Sequence, residues 1–100
     1  MGFKIVFTKL AIADLSGLVT FIARDNPEAA EQFGCEIIEK TEKLDAFPFL
    51  GRVVPEFKIE NIREIIHRPY RIVYRVREGQ KLIEILRVWH AARGIPKIDE

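Results

Sequence analysis

Arg71, Arg75 and Arg77 recur at every second or fourth position of the run Tyr70-Arg-Ile-Val-Tyr-Arg-Val-Arg77. In an extended strand, that spacing puts them on one face with Val73, while Ile72, Tyr74 and Val76 take the other. A second run, Ile83-Glu-Ile-Leu-Arg-Val-Trp-His90, ends in a histidine. Three guanidinium groups beside an imidazole suit the binding of an anion, because guanidinium forms bidentate hydrogen bonds to phosphate and carboxylate. The same pattern also describes a solvated strand face carrying long-stemmed arginines. Glu78-Gly79-Gln80 joins the two runs as a hairpin, with Gly79 supplying the positive φ such a loop needs. His67, His90 and Cys35 are too scattered for a zinc set, and neither a phosphate-cradling glycine loop nor a nucleophile elbow is present. No metal or cofactor is expected. Cys35 reads as a small buried filler on a helix rather than a nucleophile.

One hundred residues suffice for one core, so residues 1–100 are expected to form a single domain. A hydrophobic fraction of 48% indicates a folded chain rather than a disordered one. No apolar run approaches the ~20 residues of a membrane span. The first residues also lack the layout of a signal peptide, so a cytoplasmic location and no membrane partner are expected. Charge is uneven: residues 1–50 carry five Lys/Arg against eight Asp/Glu, and residues 51–100 carry eleven against seven. That asymmetry points to an acidic partner or nucleic acid near the second half.

The elements that must position these residues follow from periodicity. Phe3–Thr8 reads as a strand. From Thr8 or Lys9 to Ala23, the residues Ala11, Leu15, Leu18, Val19 and Ile22 recur at helical spacing. Gly17 inside that helix suggests a close packing neighbour. Asn26 caps a second helix, expected from Pro27 to Asp45, whose apolar stripe is Ala30, Phe33, Ile37, Ile38, Thr41 and Leu44. After Gly51 the period becomes two. Val53–Phe57, Ile62–His67, Tyr70–Arg77 and Lys81–His90 read as strands, antiparallel because their connections are short. The predicted fold is α+β, in the order β-α-α-β-β-β with one further short strand, a helical hairpin packed on a mainly antiparallel twisted sheet. Gly94 and Pro96 make residues 91–100 a loose tail.

Several segments in this order resemble the RelE/ParE superfamily of toxins from toxin–antitoxin systems. They are Ala13-Asp14-Leu15, Phe21-Ile22-Ala23, Asn26-Pro27-Glu28-Ala29-Ala30, Phe47-Pro48, Gly51-Arg52, Val54-Pro55-Glu56, Arg63-Glu64, Tyr70-Arg71-Ile72-Val73-Tyr74 and Val88-Trp89-His90-Ala91-Ala92-Arg93. The resemblance covers nearly the whole chain and implies a toxin neutralised by an antitoxin with an acidic C-terminal segment, often disordered when free. RelE-like members cleave messenger RNA on the ribosome, whereas ParE-like members poison DNA gyrase.

For the ribonuclease branch, the resemblance implies three catalytic positions. Arg71 matches the arginine beside the scissile phosphate, where its charge would stabilise the transition state. Glu56 matches a general base, a role that needs a carboxylate whose pKa burial has raised. His90 matches a general acid, although ParE-like members often carry a histidine there too. Arg52, Arg63, Arg75, Arg87, Arg93 and Trp89 are the expected substrate- or partner-binding residues. Arg63 lies near the first of two lysines found in RelE proper; the second lysine and a C-terminal tyrosine have no counterpart here. The chain therefore reads as a toxin, either an endoribonuclease working through Glu56, Arg71 and His90 without metal, or a binding inhibitor of gyrase. A third reading is a degenerate toxin that only binds antitoxin.

Overall fold

The computed structural model describes residues 2–98. Strand β1 (Lys4–Phe7) leads into helix α1 (Lys9–Ala23), helix α2 (Pro27–Glu42), and strands β2 (Arg52–Val53), β3 (Ile62–His67), β4 (Tyr70–Arg77) and β5 (Leu82–His90). The sheet order is β1-β5-β4-β3-β2; β1 runs parallel to β5 and all other pairs are antiparallel. This is the expected α+β architecture, with β1 supplying the parallel edge.

Both helices begin where their caps dictate. Thr8 Oγ1 accepts from the Ala11 N–H, and Asn26 Oδ1 accepts from the Ala29 N–H ahead of Pro27. α2 ends at Glu42, and Lys43–Asp45 tighten into a 3₁₀ turn that still buries Leu44. The hairpin packs Ala11, Phe33, Ile37 and Leu44 onto Ile72, Tyr74, Val76, Ile83, Ile85 and Val88. A smaller cluster occupies the other sheet face, where Val54, Ile62, Val73 and Leu86 meet Phe57 and Ile98.

A β-bulge links the two faces. Val73 pairs with Arg87 but Tyr74 pairs with Ile85, so Leu86 is an extra residue in β5. Ile83 and Ile85 face the helices before the bulge, and Val88 does so after it. The inward parity of β5 therefore switches from odd to even at Leu86.

Five expectations are revised, the first being Cys35, which is exposed on α2 rather than buried. The strand expected over Val53–Phe57 shrinks to Arg52–Val53, because the chain turns at residues 55–57. The left-handed residue of the β4–β5 hairpin is Lys81 (φ 50°), not Gly79. Gly17 has no close neighbour: a Cβ there would meet nothing within 4 Å. Residues 91–98 of the expected loose tail are tied to the sheet, with Pro96 buried and Ile98 packed on the second cluster, while residues 99–100 lie outside the described residues. Donors hold that segment, since the Trp89 indole N–H donates to Gly94 O (3.1 Å) and Arg87 Nη1 to Lys97 O (2.7 Å).

Candidate functional site

β3 and β4 build the site by register. Ile66 pairs with Arg71 and Glu64 with Val73, so Arg71, Glu64 and Ile66 share the face away from the helices. Arg52 of β2 pairs with Glu64 and joins them. β2 approaches closely because Gly51 has no side chain; a Cβ there would collide with the Glu64 carbonyl oxygen and crowd the Tyr74 hydroxyl. That hydroxyl accepts from the Gly51 N–H at 2.9 Å, and burial pushes the phenol pKa up.

The result is a chain of four charges. Arg52 Nε donates to Glu64 Oε2 at 2.6 Å, and Arg71 Nε donates to Glu64 Oε1 at 2.6 Å. Arg71 then closes a bidentate pair on Glu56, with Nη1 to Oε2 at 2.9 Å and Nη2 to Oε1 at 2.6 Å. Burial differs along the chain: the side chain of Glu64 is 0% exposed, Arg71 8%, Glu56 29% and Arg52 60%. Two buried charges survive because each is fully hydrogen-bonded to an opposite charge. The hydrogen bond from Arg71 holds the Glu56 carboxyl below the usual carboxylate range, while the hydrogen bond from Glu56 pushes Arg71 up.

Glu56 and Arg71 are thus in direct contact, but His90 is not with them. His90 pairs with Tyr70 on the helix side of the sheet, ring centroids 5.3 Å apart, and its Nδ1 accepts from the Ala92 N–H. It lines a small recess with Asp14, Gly17 and Arg93. Without the bulge at Leu86, alternation from Ile83 and Ile85 would have put His90 on the Arg71 face. Arg63 also lies on the helix side, over the Phe49 ring and bonded to Glu60. Arg75 and Arg77 both pair with Glu84 at the far end of the hairpin.

Trp89 is buried beside Arg71 on the neighbouring strand, with the Arg93 guanidinium 3.9 Å and that of Arg87 4.8 Å from its ring centroid. Arg87 also makes a bidentate pair with Asp14, at 2.8 and 2.9 Å. Asp14 further accepts from the Val88 N–H, which joins α1 to β5 just past the bulge.

Neither Asp14 nor Glu64 is among the expected site residues. Glu64 carried a signal, because it interrupts the apolar set Ile62 and Ile66 on one face of β3. A charge at a buried alternation position requires a buried countercharge. Asp14 carried none beyond its place on an apolar helix. Among the described residues, no group of three or more His, Cys, Asp or Glu could hold a metal ion.

Comparison with known proteins adds relatives to this geometry. A family model described as the ParE toxin of the type II toxin–antitoxin system parDE matches residues 5–95. Toxin RelE2 of Caulobacter vibrioides is 32% identical over 91 residues, covering 90% of this chain and 97% of the relative. The chromosomal ParDE system of P. aeruginosa contains a similar chain, with TM-score 0.70 and 25% identity over 88% of this chain and 95% of that one. The RelBE2 toxin–antitoxin complex of Mycobacterium tuberculosis shares the fold at TM-score 0.67 and 22% identity, covering 90% and 99% of the two chains.

Proposed function

We propose that this protein, which belongs to the RelE/ParE superfamily of toxins from type II toxin–antitoxin systems, acts by binding its target rather than by cutting RNA. The target is DNA gyrase, as the resemblance implies for ParE-like members. One observation carries this reading: the guanidinium expected to grip phosphate is bonded to Glu56 and Glu64 at 2.6 Å each. A general base at Glu56 would need a raised pKa, and its carboxyl is lowered instead. A general acid at His90 would have to act through the sheet, since the ring stands on the other face. Positioned acid and base each contribute typically ~10²–10⁴-fold to a rate, so a site lacking both is a poor ribonuclease.

The ribonuclease alternative keeps one supporting observation, the direct contact between Glu56 and Arg71. Purified toxin added to gyrase and relaxed plasmid separates the two readings when run beside a ribosome-programmed cleavage assay. Inhibited supercoiling with intact message is expected. Cleaved message that becomes intact with Arg71→Ala would overturn the proposal.

The cognate antitoxin has an evident place to bind. Leu15, Val19, Ala30, Gly34 and Ile38 line an apolar groove along the helical hairpin, and Ile12, on the same face of α1 as Leu15 and Val19, is 55% exposed. Such a contiguous apolar surface on a small domain marks a protein-binding face. An amphipathic antitoxin segment lies in this groove. Ile12→Asp, at an exposed position, is expected to escape neutralisation while remaining toxic.

A further inference from the structure

The Arg71 network deepens the binding reading by identifying what keeps RNA out. A phosphodiester on Arg71 would need the outer edge of the guanidinium, where Nη1 and Nη2 present parallel N–H donors. The Glu56 carboxylate occupies that edge, in the bidentate geometry a phosphate would adopt. Glu64 takes the remaining Nε and gives its second oxygen to Arg52. Two guanidinium groups and two carboxylates therefore neutralise one another.

We propose that Arg71 is a latent oxyanion site closed by internal carboxylates, with Glu64 as a fixed counter-anion and Glu56 as the exchangeable one. The contrast in burial separates their roles. Glu64 has no exposed side-chain surface, whereas Glu56 is 29% exposed and sits on the turn at residues 55–57. A cleft of about 540 Å³ opens at the same place, lined by Arg52, Glu56, Arg68, Tyr70 and Arg71. It is large enough for a phosphate and its sugar, and neutralising Glu56 would raise its positive charge by one. The ligand class admitted is a phosphodiester oxyanion, as in single-stranded RNA.

Glu56→Gln tests this directly, because the amide keeps the shape of the side chain and removes its charge. Binding of a short fluorescent single-stranded RNA is followed by anisotropy at low salt for wild type, Glu56→Gln and Glu56→Gln/Arg71→Lys. Glu60→Gln serves as the charge control, since Glu60 is 83% exposed and pairs with Arg63 instead. Glu56→Gln is expected to bind ~10-fold more tightly than wild type, a modest fraction of one close charge interaction. The gain should vanish in the double variant and be absent from Glu60→Gln. No gain in folded Glu56→Gln, an equal gain in Glu60→Gln, or a gain that survives Arg71→Lys would each overturn the inference. Glu56→Ser, read in the same way, replaces Glu56→Gln should the latter fail to fold. None of these outcomes bears on wild-type gyrase inhibition, so this inference and the binding reading fail separately.

Discussion

Glu64 and Arg71 meet at 2.6 Å beneath the outer face of the sheet, Oε1 to Nε, on adjacent strands. Neither is a surface residue: the Glu64 side chain is 0% exposed and that of Arg71 8%. The pair fixes β3 against β4 and leaves Arg71 with Glu56 as its other charged partner. Removing one member of such a pair strands the other charge without water to solvate it.

Glu64→Gln is accordingly expected to destabilise the fold by roughly 3 kcal/mol, the scale of a broken buried pair. Urea denaturation followed by circular dichroism measures this. A loss below about 1 kcal/mol would mean that Arg71 finds other partners and that Glu64 is not the fixed anion.

Glu56 sets a pH dependence. Its folded pKa lies below the ordinary 4.5, chiefly through the hydrogen bond from Arg71. The unfolded chain therefore binds the proton more readily, and the stability that ionised Glu56 contributes is full above about pH 4.5. It is lost as pH falls through the lower folded value. The stability difference between wild type and Glu56→Gln should shrink across that interval, read from denaturation midpoints at stepped pH. A difference that stays constant down to the lowest pH would contradict the pairing.

Gly17 carries the opposite expectation. A Cβ at this position meets nothing within 4 Å, and glycine in a helix interior is less favourable than alanine by ~0.5–1 kcal/mol. Gly17→Ala should raise stability by about that amount. A lower melting temperature would show instead that the residue has a close neighbour.

Trp89 anchors the C-terminal segment through its indole N–H to Gly94 O. Trp89→Phe keeps an aromatic ring under Arg87 and Arg93 but removes that donor, at a cost of about 1 kcal/mol. Trypsin should then cut more quickly after Arg93 and Lys97. Unchanged cleavage kinetics would place the anchor elsewhere, at Arg87 and the Lys97 carbonyl.

Local chemistry wrote much of this fold into the chain. Thr8, Asn26 and Pro27 start the helices where expected, because caps act within one turn. Ile72, Tyr74 and Val76 alternate inward as predicted, and the motif order pointed to the toxin superfamily that the family match then showed. The closeness of Glu56 and Arg71 was not legible along the chain, since 15 residues separate them. Long-range pairing decided the rest. Periodicity carries no signal for one extra residue in a strand, so the bulge at Leu86, and with it the side on which His90 stands, emerges only when β5 lies against β4. Likewise, an arginine stripe reads the same whether solvated or buried. The countercharges that bury Arg71 come from β3 and from the turn after β2, and proximity in space, not spacing along the chain, turns an apparent anion-binding face into a neutralised one.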